Sequence, residues 1–68
     1  MTTGREWIDA FAAAVGTDPP TDDVVDTLLD LAGVAAHASE RTAAPIACYL
    51  AGRAGLDLTT ALEVARSV

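Results

Sequence analysis

His37, Glu40 and Arg41 lie close together in a chain otherwise poor in reactive side chains, and their types could do chemistry. An imidazole titrates near neutrality, and a guanidinium grips a carboxylate or phosphate with two parallel donors. If the preceding helix runs on to Glu40 or Arg41, then Asp30, Val34, His37 and Arg41 form one stripe at i, i+4, i+7 and i+11. That stripe lies away from the main Leu/Val arc, so with Glu40 it makes a candidate polar interaction surface. The plainer account, which the residue pattern favours, is a helix end where two cations offset the C-terminal dipole. No nucleophile or oxyanion donor is recognisable beside His37, and histidine near glutamate is too common to signal acid–base catalysis. We therefore expect no catalytic, cofactor-binding or metal-ligating residue, and no enzyme activity.

Three other patterns carry a sharper and a plainer reading. Asp22, Asp26 and Asp30 repeat at i, i+4 and i+8. Such a row could meet an arginine-rich partner or hold magnesium. It reads better as a solvated face, because a straight row does not converge oxygens on one ion. Ala44, Cys48 and Gly52 repeat at the same spacing and would let another backbone approach, with a neighbouring helix of the chain the favoured occupant. Cys48 on that row reads as a small core hydrophobe, since no lysine or second thiol activates it. Trp7 and Phe11 are the bulkiest apolar groups. They are expected in the core with part of Trp7 exposed, the alternative being an interface anchor.

These side chains must be positioned by helices. Thr3 and Glu6 have capping-box spacing, and Trp7, Ile8, Phe11, Ala12 and Val15 follow at helical intervals up to Gly16 and Pro19-Pro20. Thr21 is a good N-cap, Asp22 and Asp23 suit a helix start, and the apolar residues from Val24 to Ala36 fall in one broad arc. This second helix is expected to be central. Pro45 fits the first turn of a third helix that ends near Gly55. A short fourth helix is capped by Asp57, Thr59 or Thr60, with Thr60 and Glu63 again at capping-box spacing. The fold class expected is all-α, a small bundle of about four short helices in a single domain over residues 1–68. The short loops predict that successive helices pack as neighbours.

Composition narrows the function. The net charge is −6, with four arginines and no lysine, so the basic footprint that nucleic acids require is missing. A membrane role is equally unexpected, and the run Ala43 to Gly52 is far short of a bilayer span. The first residues lack a cationic segment followed by an apolar one, so no secretion signal is expected and the cytoplasm is the default compartment. A lone Cys48 allows no internal disulfide, and with one histidine it cannot close a structural zinc site. No phosphate loop, GxGxxG or HExxH motif occurs.

The segment Leu28 to Gly52, above all the run His37-x-x-Glu40-Arg41-x-Ala43-Ala44-Pro45, resembles a family of small bacterial helical domains of unknown function, and Trp7-Ile8-Asp9-Ala10-Phe11 resembles that family's start. The resemblance covers roughly residues 5 to 55. Members of that family are often described as, fused to, or encoded near molybdopterin-guanine dinucleotide biosynthesis protein A, and occur near formate dehydrogenase genes. The resemblance implies an association with the molybdenum cofactor, not guanylyl transfer by this chain, because the transferase fold is a much larger α/β domain. The expected function is a non-catalytic accessory module that docks on the guanylyltransferase or on a molybdenum enzyme such as a formate dehydrogenase. The alternatives are a homo-oligomeric helical scaffold and a small-molecule or nucleotide binder using His37 and Arg41.

Overall fold

The computed structural model describes residues 2–68. They form four helices, α1 (Gly4–Val15), α2 (Asp22–Ala38), α3 (Ala43–Ala54) and α4 (Leu58–Ser67). There is no strand among the described residues, so the all-α expectation holds. No helix is long and apolar enough to cross a membrane among the described residues.

Local chemistry sets most of the boundaries. The Thr3 hydroxyl accepts from the Glu6 amide at 3.0 Å, and the Thr3 amide donates to Glu6 Oε1 at 3.2 Å. Two of the orphan amides at the start of α1 are thereby satisfied. Gly16 ends the helix in the left-handed region, at φ 84°. Its amide and that of Thr17 close back onto the carbonyls of Ala13 and Ala12, the pattern that terminates a helix on a glycine. Thr21 caps α2 through its hydroxyl, which accepts from Val24 at 3.3 Å.

The end of α2 departs from expectation. The helix stops at Ala38, and Arg41 lies beyond it in a turn. Pro45 explains this. It occupies the first turn of α3, and one continuous helix would bring its ring against the carbonyl of Arg41, four residues back. Ser39 closes α2, its amide and hydroxyl both donating to the Ala35 carbonyl at 3.2 and 2.8 Å. At α4 the capping-box spacing of Thr60 and Glu63 is not used, because the helix begins three residues earlier, with Asp57 in the N-cap position.

The second helix is central, as its apolar arc predicts. Helices α3 and α4 both pack on it. Leu31, Ala51 and Ala61 form the buried centre, with Leu28, Cys48, Leu58, Leu62 and Ala65 packed around them. The Cys48 thiol points at the Leu28 carbonyl, 3.8 Å away. Of the small-residue stripe, Ala44 and Cys48 are half-buried, but Gly52 is exposed and a Cβ there would meet nothing within 4 Å. The true contact edge of α3 is therefore Cys48 and Ala51, rotated from the stripe read in the sequence.

Two expectations fail. Successive helices do not all pack as neighbours, because α1 has no extensive contact with any helix and α3 has none with α4. Both α3 and α4 lean on the arc of α2 and leave a cleft between them. Trp7 and Phe11 are not core residues, being 58% and 52% exposed. At 100° per residue the apolar arc of α1 is wide, and only its Ile8–Ala12 edge is covered. The two rings stack on each other, centroids 5.1 Å apart and planes 14° from parallel. Arg5 anchors this helix. Its guanidinium donates to the Pro20 carbonyl, its Nε lies 3.3 Å from Asp9, and its Nη1 lies 3.9 Å from Asp22.

Candidate functional site

The second half of α2 turns Asp30, Gly33, Val34 and His37 toward one side, where the last turn of α4 brings Arg66 beside them. Together with Leu29 and Val68 they line a shallow, open trough of about 670 Å³. Its make-up is one carboxylate, one imidazole and one guanidinium set around aliphatic side chains. No hydrogen bond or ion pair ties these three polar groups to one another among the described residues. All three are exposed, so each is free to meet a group from outside.

The five residues expected to share a surface are divided. Asp30, Val34 and His37 line the trough. Glu40 lines a different hollow, with Ser39, Thr42, Ile46 and Leu50, and accepts from the Thr42 hydroxyl at 3.5 Å. Arg41 lines neither hollow. Its carbonyl accepts from the Ala44 amide at 3.1 Å, which helps start α3. The break that Pro45 imposes is what separates Arg41 from His37. Arg66 is the member that the sequence reading missed. Nothing in the sequence marked it, since Arg66 joins the trough only through the packing of α4 on α2.

The acidic row is solvated. Asp22, Asp26 and Asp30 are all exposed, and Asp22 faces Arg5. No group of three or more His, Cys, Asp or Glu side chains is placed to hold a metal ion among the described residues. Burial pushes the Cys48 thiol above its ordinary value, which makes it a poor nucleophile. The trough thus offers contact chemistry: a mixed polar rim on an aliphatic floor, open to solvent along its length.

The family model described as "Domain of unknown function (DUF6457)" matches residues 1–68. The chain belongs to that family. The match covers the whole sequence, the fourth helix included. No curated protein and no solved structure matches. The roles of residues in this DUF6457 domain therefore rest on their geometry.

Proposed function

We propose that this DUF6457 domain is a non-catalytic interaction module whose purpose is to be covered by protein. One observation carries the reading. A compact monomer of this mass exposes about 4,000 Å², whereas the chain exposes 5160 Å². Many large apolar side chains are among what is exposed. Trp7, Phe11, Val15, Leu29, Ile46, Tyr49, Leu50 and Val64 are all about half exposed or more. Single exposed apolar residues are ordinary, but this many on so small a chain signals contact surface.

The partner we propose is a protein of the molybdenum-cofactor pathway, either the guanylyltransferase or a molybdenum enzyme such as a formate dehydrogenase. The support for that choice is the sequence resemblance carried by His37, Glu40, Arg41 and Pro45. The trough of Asp30, Val34, His37 and Arg66, with the outer face of α3 at Ile46 and Tyr49, supplies the polar rim and apolar centre that such an interface uses. A binder using His37 and Arg41 together has no comparable support, since the two line no common hollow.

The test is copurification of the tagged chain from its native cell, read by mass spectrometry, beside the variants Ile46→Asp and His37→Ala. Enrichment of a molybdenum-cofactor protein that Ile46→Asp abolishes and His37→Ala reduces is the expected result. Recovery of the bait alone, or of the same proteins with either variant, refutes the reading.

A further inference from the structure

The cleft between α3 and α4 has the form of a bundle that lacks one helix. Its floor is Leu31 and Ala35 of α2, one wall is Ala47 and Leu50 of α3, and the other is Val64 and Ala65 of α4. Every one of these side chains is apolar. The two hollows that make up the cleft share Ala47, Leu50 and Ala65, so it is continuous, and they measure about 310 and 530 Å³. The same chain carries one helix that no other helix packs against extensively. Helix α1 presents Trp7, Phe11 and Val15 to solvent on one side while Arg5 holds its other side to the Pro20 carbonyl.

We infer that the α3–α4 cleft receives the exposed face of helix α1 from a second copy of the chain, each copy giving its helix to the other's cleft. The inference rests on reading the exposed apolar surface as an interface, and it leaves Ile46, Tyr49 and the polar side of the trough, Asp30, His37 and Arg66, for a further partner, Val34 and Ala65 being shared with the cleft.

Three observations point to a second copy as the occupant. The pieces match in size: α1 and α3 each have 12 residues, a length of about 18 Å at the helical rise. The area suffices: the surplus over a compact monomer is about 1,200 Å², and a standard interface takes about 800 Å² from each partner. The shape agrees as well, since the radius of gyration is 12.5 Å where a compact chain of this length has about 11 Å. One donor helix and one acceptor cleft per chain close as a two-fold pair with nothing left over. Each copy carries a charge of −6, so the pair tightens as salt screens the repulsion.

Sedimentation equilibrium of the intact chain tests this, with the emission of Trp7, its one tryptophan, followed in parallel. The expected result is a mass that rises with concentration from 6.9 kDa to twice that value, with a blue shift of Trp7 as the ring leaves water. Phe11→Glu on the helix and Leu50→Glu in the cleft each weaken the pair by about tenfold or more. Both side chains are more than half exposed in the single chain, so both variants keep their helical circular dichroism. Phe11→Ser and Leu50→Ser replace either one that does not. Mixing the two variants gives a one-to-one pair tighter than either variant forms alone, because one of its two helix–cleft contacts is then intact while the other carries both charges. A chain that stays at 6.9 kDa at all concentrations overturns the inference. So does a dimer indifferent to the Leu50 variant, or a mixture that associates no better than the separate variants. A monomer that still copurifies with a molybdenum-cofactor protein sinks self-pairing alone, and a dimer that copurifies with nothing sinks the docking reading alone.

Discussion

Leu31 and Leu29 stand two residues apart on α2, about 200° around the helix and so at opposite edges of its apolar arc, and the fold treats them oppositely. Leu31 is 3% exposed at the point where α2 meets both α3 and α4, and Leu29 is 65% exposed. Truncating a buried leucine to alanine loses its transfer free energy and leaves a cavity, at a cost of roughly 2–5 kcal/mol. A domain of this length holds only about 3–10 kcal/mol in all. Leu31→Ala therefore removes a large part of the stability, and at about 4–8 °C per kcal/mol the midpoint falls by roughly 10 °C or more. The other buried side chains of the core are alanines, too small to move in and fill the void. Leu29→Ala should stay within about 0.5 kcal/mol of the parent. Urea and thermal unfolding followed by circular dichroism measure both, at one fixed protein concentration because self-pairing raises apparent stability. Equal losses in the two variants, or a loss under about 1 kcal/mol for Leu31→Ala, would show that α3 and α4 do not meet on Leu31.

Other consequences can be checked separately. Arg5→Ala releases α1 from the Pro20 carbonyl and from Asp22, so amide exchange should accelerate in residues 4–15 and stay unchanged in α3 and α4. Gly16→Ala forces a side chain into φ 84° and should cost about 1 kcal/mol, whereas Gly52→Ala, on an exposed face of α3 with no neighbour within 4 Å of the new carbon, should stabilise by about 0.4–1 kcal/mol; urea midpoints read both. Burial raises the Cys48 thiol above the 9.0 of an ordinary cysteine, so the unfolded chain loses this proton first as pH rises. Its contribution to stability is then complete below the unfolded value and lost as pH climbs through the folded one. Urea midpoints should fall across that alkaline window in the parent but not in Cys48→Ala, and alkylation of the native thiol should be slow.

Features that depend on adjacent residues were legible in the sequence. Thr3 with Glu6, Thr21, Gly16 and Gly55 act as caps where their chemistry placed them, because a cap is settled within one turn of chain. The single arc of α2 likewise foretold the central helix. What escaped was long-range. The stripe from Asp30 to Arg41 assumed that α2 runs past Ala38, and the local pattern there is helical. The veto comes from Pro45, four residues beyond Arg41 and already part of another helix. Trp7 and Phe11 were assigned to the core on size alone, but burial depends on whether a second surface exists to cover them. Arg66 joins His37 only because α4 folds back along α2, a placement that periodicity within α4 does not encode.

The interior itself explains why so much apolar surface stays outside. The fully buried side chains are Leu31 and three alanines, Ala12, Ala51 and Ala61, while Leu28, Leu58 and Leu62 are only partly covered around them, and small residues bring backbones close while removing little apolar area from water. Burial contributes about 25 cal/mol for each Å², so a core with a single fully buried leucine stabilises weakly. The large groups Trp7, Phe11, Ile46, Tyr49 and Leu50 lie on the outside. A chain arranged this way gains more from association than from its own collapse. Moving the aromatic pair inward would require α1 to leave the Arg5 anchor and lie in the α3–α4 cleft, which a second copy's α1 can fill while both anchors stay intact. The stability of the domain and its interaction role then share one physical origin, the separation of the small packing residues from the large ones.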